Sequence, residues 1–399
     1  MLKIILKLSY LLIALSHISF VVYSSNNKIG NSNMHYNMQY NNINNRDVCN
    51  KEKWINILIH GSVGLMESLS FSTLSSLISD QIENSFYERN VLSIRRNKNI
   101  FANQPIEFMG LHKTRFKSYS TCGAYLYSTL YNLISERYLP NQENVFYTYG
   151  WSGLISFTQR LKEAVGLYKA LRDLIYRSNN CKIRIIGYSH GATLAFNLAY
   201  VREHYYPEDR FAIDEIVDIG MPIFSSTENL AKHPMFKKIY HIYSKVDWVQ
   251  CLDVFSPGNF TSYNSFCDYK SYELKNKLTQ FDISIYSSCK KILADESPTH
   301  SQLWFFGWST GYNEKSILYP LPLSVFIPYF IFIAKDPYLR NMDFIKLKMY
   351  PNCNLTRVRD KYGYLYKAIR FIPKSELDFI KQYACKFAPK QYFKTNFYF

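Results

Sequence analysis

A serine flanked by two glycines marks the clearest site for chemistry in this chain. Gly187, Ser189 and Gly191 follow the apolar, mostly β-branched residues 183–186, which predict a strand. After Gly191, leucine and valine side chains recur at helical spacing and predict a helix. A tight turn from strand to helix leaves little room for a Cβ, which explains the two glycines. The sequence therefore predicts that Ser189 is exposed at the carboxyl end of a strand, beside the amino terminus of a helix.

The strand, the Gly-x-Ser-x-Gly turn and the helix around Ser189 resemble the nucleophile elbow of the α/β-hydrolase superfamily, and within it the lipases and esterases. A serine hydroxyl at its normal pKa is a poor nucleophile, so it needs a base and a carboxylate that orients the base. The resemblance implies the chain order serine, then Asp or Glu, then histidine. An ordinary glycine-rich loop with an incidental serine is the alternative.

That order points to Asp247 as the acid and His300 as the base. Asp247 follows the predicted strand 238–243, two strands beyond the serine, where the family places its carboxylate. Asp209 falls in a polar loop and Asp218 inside a predicted strand, so both are weaker candidates. His300 is the only histidine in the sequence after Asp247. These two residues complete the predicted triad.

A second glycine turn, upstream of the serine, could bind a negatively charged intermediate. Residues 54–59 predict a strand that runs directly into His-Gly-Ser at 60–62. In the family that the sequence resembles, a strand ending in His-Gly supplies part of the oxyanion hole, whose N–H groups hold the anionic oxygen. The resemblance implies the amides of His190 and of Ser62, with the two neighbours of Ser62 as rivals. An ordinary strand–turn–helix is the alternative.

Strands and helices alternate over residues 54–250, which favours an α/β fold with a mostly parallel central sheet flanked by helices. The resemblance, which covers roughly residues 54–305, specifies the α/β-hydrolase fold. Besides the elements already named, the pattern predicts strands at 144–149 and 215–219 and an amphipathic helix at 157–176.

The remaining segments differ in composition from this predicted core. Residues 1–24 predict a secretory signal peptide, with an uncleaved anchor as the alternative. Residues 25–48 are rich in asparagine and predict a disordered linker. We expect the hydrolase domain over 49–312, with 251–295 forming a lid or cap insert or else a packed surface excursion. A hydrophobic and β-rich C-terminal extension then occupies 313–399.

The formal net charge of +16 favours anionic partners such as acidic lipid headgroups or nucleic acid, with compositional drift as the alternative source of part of the excess. No nucleic-acid-binding module is recognisable, so the expected surface partner is an anionic membrane. Residues 317–334 contain no charge but three prolines, which argues against a membrane helix. They predict buried extended structure or a surface patch that docks on lipid. Alternating residues over 344–372 predict a β-hairpin.

Eight cysteines behind a signal peptide permit disulfides. Cys251 and Cys267 close a short loop and are the first expected pair, whereas Cys181 is expected to be a buried thiol. No pair has the spacing of a zinc site, and neither a metal nor an organic cofactor is expected.

From these features we expect a secreted or cell-envelope-associated serine hydrolase that cleaves carboxylic esters, above all lipid esters, through an acyl-enzyme. One alternative is a hydrolase-fold module without turnover, used for binding or membrane attachment. Another is an acyltransferase or thioesterase that uses the same triad. The sequence does not decide between water and another acyl acceptor.

Overall fold

A ten-stranded sheet forms the centre of the protein in the computed structural model. The structure describes residues 51–63, 71–97, 99–118, 122–178, 180–251, 262–267, 271–290, 296–309 and 312–389. The strands are β1 Glu52–Ile59, β2 Gly110–Lys113, β3 Gln142–Gly150, β4 Lys182–Tyr188, β5 Glu215–Ile219, β6 Ile239–Tyr243, β7 Leu278–Ile285, β8 Phe344–Tyr350, β9 Leu355–Arg359 and β10 Leu365–Arg370.

Helices of the described ranges connect and flank these strands. They are α1 Phe71–Ile78, α2 Phe86–Arg96, α3 Ile100–Asn103, α4 Gly123–Tyr138, α5 Phe157–Arg177, α6 His190–Tyr205, α7 Ser225–Ala231, α8 His300–Trp304, α9 Ile327–Ala334 and α10 Lys374–Cys385. Short 3₁₀ turns occupy Trp248–Cys251, Leu323–Phe326 and Pro351–Cys353.

The strand order is β10-β9-β8-β7-β6-β5-β4-β1-β3-β2. From β8 to β3, every neighbouring pair is parallel. The antiparallel strands β2, β9 and β10 lie at the two edges. This confirms the prediction of a mostly parallel sheet in an α/β fold. The carboxyl ends of the parallel strands meet along one edge of the sheet, and loops that follow β1, β4 and β6 are brought together there.

Both faces of the sheet are covered by helices. On one face, α5 and α6 pack leucines against Ile57, Ile185 and Ile216. On the other face, α4 and α9 pack against Ile186 and Val217. Ile185 and Ile186 are neighbours in β4 and point to opposite faces, which is why the central strands are continuous apolar runs. The covered sheet gives the loops at its carboxyl edge a rigid base.

The structure corrects the interpretation of residues 251–295 as an insert. Residues 278–285 form β7, a buried strand between β6 and β8 in the middle of the sheet. This strand was not predicted, because the aromatic residues before it suggested a surface excursion. Of the expected insert, the described residues 262–267 pack against the sheet, with the Phe266 amide donating to the Gln280 side chain at 2.7 Å.

The C-terminal residues expected to form an extension beyond 312 continue the same sheet. β8 pairs with β7 in parallel, and β9 and β10 follow as antiparallel neighbours. The predicted hairpin within 344–372 is therefore confirmed, with Asn354 in the left-handed conformation at its first turn (φ 52°). The described residues from Lys51 onward form one unit, without a boundary near residue 312.

The uncharged segment 317–334 is buried, but it is not extended. Its second half forms the 3₁₀ turn Leu323–Phe326 and helix α9, with Pro328 in the first turn of the helix, where proline is tolerated. All residues of α9 are buried except Phe332, which is 40% exposed. The segment packs against α4, so it does not form the alternative surface patch.

The predicted signal peptide and linker, residues 1–24 and 25–48, lie outside the described residues. Within the described ranges, no helix combines the length and the apolar composition needed to cross a membrane. Cys267 is a free, exposed thiol, so the predicted Cys251–Cys267 bridge is not formed in this structure. The Cys267 amide donates to the carboxylate of Glu228. Cys181 is half-buried rather than fully buried.

Candidate active site

Ser189 occupies a strained turn between β4 and α6. Its φ is 51° and its ψ is −131°, a backbone conformation that residues with a Cβ rarely adopt. The glycines make this turn feasible. A Cβ at Gly191 would lie 2.2 Å from the carbonyl oxygen of His60, and one at Gly187 would lie 2.6 Å from Cα of Ala192. The elbow therefore has the strand–turn–helix geometry that the sequence predicts. Ser189 itself is buried, at 8% exposure, rather than exposed as predicted, because the loop after β1 and the end of β5 pack around it.

The structure pairs His300 with Asp247. The His300 Nδ1–Asp247 Oδ2 distance is 2.7 Å, the Asp247 side chain is fully buried and that of His300 is 16% exposed. A carboxylate accepts only, so Nδ1 carries the hydrogen and Nε2 is the basic nitrogen. Among the described residues, the second oxygen of Asp247 has no hydrogen-bond partner.

Tyr188, the residue before the serine, braces this pair. Its hydroxyl donates to the His300 carbonyl at 3.0 Å, and its ring centroid lies 4.8 Å from the imidazole. The Tyr188 ring also stacks on the Trp304 ring, with the ring centroids 5.3 Å apart. His300 begins α8, where Thr299 and Gln302 form a capping box. The helix start and the tyrosine thus fix the position of the His300 backbone.

Ser189 and His300 meet at the carboxyl end of β5. The Ser189 amide donates to the Ile219 carbonyl at 2.8 Å. A Cβ on the next residue, Gly220, would lie 3.2 Å from both Cε1 and Nδ1 of the His300 ring. Within the described part of the chain, no hydrogen bond joins the Ser189 hydroxyl to His300. Such bonds are often long in unliganded enzymes and shorten when substrate binds.

The loop after β1 passes directly beside the serine. A Cβ at Gly61 would lie 3.0 Å from Cβ of Ser189. The Val63 amide donates to the Gly153 carbonyl at 3.0 Å. Its N–H is therefore not available to bind an oxyanion. Among the described residues, the Ser62 amide donates no hydrogen bond. Ser62 and Gly61 remain as candidate donors from this loop.

His190, the other predicted oxyanion donor, is the first residue of α6. Amides of the first helical turn have no partner within the helix and lie at its positive end. The His190 ring is held against α5, with its Nδ1 3.1 Å from Nη1 of Arg160. Since a guanidinium only donates, Nδ1 of His190 carries no hydrogen. Arg160 was missed by the sequence analysis because an arginine on an amphipathic helix normally faces solvent.

His60 is a structural residue rather than a second base. Its ring stacks on Trp151 with centroids 5.5 Å apart, its Nδ1 lies 2.7 Å from the Gly61 carbonyl, and its Nε2 accepts from the Trp151 amide. Burial, and then the positive charge of Arg95, hold the pKa of His60 well below its usual value. The neutral ring fixes the loop that carries Ser62.

Asp218, the weaker acid candidate, has its own partner. Its carboxylate contacts the His241 ring of β6, and both side chains are fully buried. His241 Nε2 lies 2.9 Å from the Asn264 carbonyl. Asp218 therefore contacts a different histidine, which leaves Asp247 as the carboxylate of His300. In the described ranges, no group of three or more His, Cys, Asp or Glu side chains could hold a metal ion.

No family model and no curated protein matches the chain. A solved structure described as a "putative cell surface hydrolase" from Lactobacillus plantarum WCFS1 is similar at 12% identity. The similarity covers 58% of this chain and 80% of that one, with a TM-score of 0.26. At that TM-score it carries no argument about this chain, so the function has to be argued from the site itself.

Proposed function

We propose that the chain is a serine hydrolase of the α/β-hydrolase fold that cleaves carboxylic esters through Ser189, His300 and Asp247. One observation carries the proposal: a strained serine and a histidine paired with a buried aspartate both lie against the end of β5, at Ile219 and Gly220. Backbone strain at a polar residue in a sheet-edge turn costs stability and is typical of functional sites.

In the proposed reaction, the Ser189 hydroxyl attacks the ester carbonyl while Nε2 of His300 takes its proton. Asp247 holds the imidazole in the required tautomer and stabilises the imidazolium. The tetrahedral intermediate collapses when His300 returns the proton to the leaving alcohol, which yields an acyl-serine. Water, activated by His300, then attacks the acyl-serine and releases the acid. The intermediate's oxyanion accepts from the amides of His190 and Ser62.

We propose further that the ester is a lipid. Several exposed apolar side chains lie along the carboxyl edge of the sheet, where the serine also lies. Val246 and Val249 lie close to Asp247 in sequence. Phe108 and Met109 precede β2, beside the end of β3, and Phe157 is the first residue of α5. Each of these side chains is between 39% and 52% exposed. An apolar rim of this kind favours substrates with acyl chains.

An anionic membrane surface is the partner that we propose, in keeping with a secreted or envelope-associated location. One face of β8 and β9 carries like charges directly opposite each other, Lys346 against Arg359 and Lys348 against Arg357. Within the described part of the chain, none of these four cations forms an ion pair. Directly opposed like charges destabilise a sheet, so an anionic surface would relieve their repulsion.

A series of p-nitrophenyl esters of increasing acyl length tests the enzymatic proposal. We expect hydrolysis by the wild type that rises with chain length, and its loss in Ser189→Ala. Ser152→Ala is the matched control, because Ser152 also lies in a glycine turn at the end of a strand but has no histidine partner in the described structure. Hydrolysis that survives in Ser189→Ala would exclude the serine mechanism, and a preference for acetyl esters would exclude the lipid assignment.

A further inference from the structure

Two cysteines distant in sequence lie together at the carboxyl edge of the sheet. Cys289 follows β7, and Cys353 lies in the 3₁₀ turn between β8 and β9. The Sγ atom of Cys353 accepts a hydrogen bond from the Cys289 amide at 3.2 Å. Both are free thiols in this structure; Cys353 is exposed and Cys289 is half-buried, so a soluble disulfide can reach Cys353.

We propose that Cys289 and Cys353 form a disulfide that fastens the loop before His300 to the β8–β9 turn. Among cysteines whose side chains the structure describes, these two are joined by a hydrogen bond. Two other hydrogen bonds near this contact already join the two segments. The Tyr286 amide donates to the Met349 carbonyl at 2.8 Å, and the Asn352 side chain donates to the Ser287 carbonyl at 3.2 Å.

The chemistry requires an oxidant, for which we name a disulfide donor such as oxidised glutathione. One cysteine thiolate attacks the donor's S–S bond, forms a mixed disulfide and releases one glutathione thiolate. The second cysteine thiolate then attacks the mixed disulfide, forms the intramolecular S–S bond and releases the second glutathione. Two protons leave the protein thiols, and two electrons pass to the donor.

The environment of Cys289 favours the oxidised state. Burial, and then the hydrogen bond and charge of Cys353, raise the pKa of the Cys289 thiol to about 11. A raised thiol pKa destabilises the thiolate of the reduced form, whereas strongly oxidising disulfides are those whose reduced thiolates are stabilised. The bond would therefore resist reduction once it has formed.

The pair lies close to the site in sequence. Cys289 follows β7, which ends at Ile285, and Glu296 forms a bridge with Ile285. His300 follows four residues later. A cross-link to the turn before β9 would fasten residues 286–290 to that turn. Cys289 and Cys353 do not contact the reacting atoms, so the disulfide acts through the stability of the fold.

Peptide mapping tests the bond without relying on activity. The full-length protein is equilibrated with oxidised and reduced glutathione, alkylated with N-ethylmaleimide and digested with trypsin without reduction. Tryptic peptides 278–290 and 349–357 each contain one cysteine. We expect them as one cross-linked species, 2 Da lighter than their sum. Because 349–357 contains a glycosylation sequon at Asn354, a host that does not glycosylate is used.

A thermal measurement separates a bond that stabilises the fold from an incidental one. Reduction should lower the melting temperature of the wild type by about 3–6 °C, the shift that a typical disulfide gives in a chain of this size. Cys353→Ser should melt at the temperature of the reduced wild type and should not respond to reductant. Cys385→Ser, which removes an exposed thiol of α10, is the control and should behave as the wild type.

The proposal is wrong if both peptides are recovered alkylated or as glutathione adducts, or if either cysteine is found cross-linked to another partner. It is also wrong if reduction leaves the melting temperature of the cross-linked wild type unchanged. None of these outcomes bears on the serine mechanism, because mapping and melting use no substrate.

Discussion

Gly220→Ala should impair catalysis by displacing His300 without removing any proposed catalytic group. Gly220 has a φ of +60°, so an added Cβ costs about 1–2 kcal/mol of backbone strain. The same Cβ would lie 3.0 Å from Cδ1 of Leu303 and 3.2 Å from two atoms of the His300 ring. These contacts are tighter than ordinary van der Waals contact, and the ring must shift by a few tenths of an ångström.

That shift sets the size of the expected effect. A misplacement of about 1 Å costs about 100-fold in rate, so a few tenths of an ångström should lower kcat by about 3- to 10-fold. KM should change little, because the substitution does not alter the apolar rim. The assay is ester hydrolysis by purified protein, combined with urea unfolding to show that the variant is folded.

Gly363→Ala is the control that separates the effect of backbone strain from the effect of a contact with His300. Gly363 also has a positive φ, +93°, but a Cβ there meets nothing within 4 Å. We expect a comparable loss of stability, about 1–2 kcal/mol, with kcat unchanged. If Gly220→Ala folds and keeps wild-type kcat, or if Gly363→Ala lowers kcat equally, then His300 is not placed as we describe.

Three further predictions concern the acid, the loop after β1 and the basic face. Asp247→Asn should reduce kcat by on the order of 10³–10⁴ through loss of the correct imidazole tautomer, measured with the same esters. Because unfolded His60 takes up a proton below about pH 6.5 and folded His60 does not, the unfolding free energy should fall between pH 7 and pH 5, by at most about 1.4 kcal/mol per pH unit. His60→Gln should lose this part of the slope in urea titrations. Lys348→Glu combined with Arg357→Glu should abolish co-sedimentation with phosphatidylserine vesicles, whereas the same charge change on two exposed lysines of α5 should not (Lys162 and Lys169).

The local signals in the sequence were sufficient for the elbow and the central strands. The bounds of β5 agree with the prediction, because an apolar run between polar residues and a glycine specifies a buried strand. Asp247 and His300 could be proposed because the order rule left few candidates. Their 2.7 Å contact joins residues 53 positions apart, and only the folded sheet could establish it.

Other features had no local signal. β7 could not be predicted from its own residues, because it pairs with β6 and β8, which are distant in sequence. The aromatic residues before it also suggested a surface segment. The buried pair Asp218–His241 joins adjacent strands and leaves no motif in the sequence. The burial of α9 also depends on α4, almost 200 residues away, so its uncharged sequence fitted a surface patch equally well.

Labelling with a fluorophosphonate probe tests the central claim most directly, because such probes react with activated serines. After labelling, digestion and mass spectrometry, we expect the adduct on Ser189 within tryptic peptide 185–202. Labelling should be lost in Ser189→Ala and in His300→Ala and retained in Ser152→Ala. A folded wild-type protein that does not react, or an adduct on any other serine, would contradict the account.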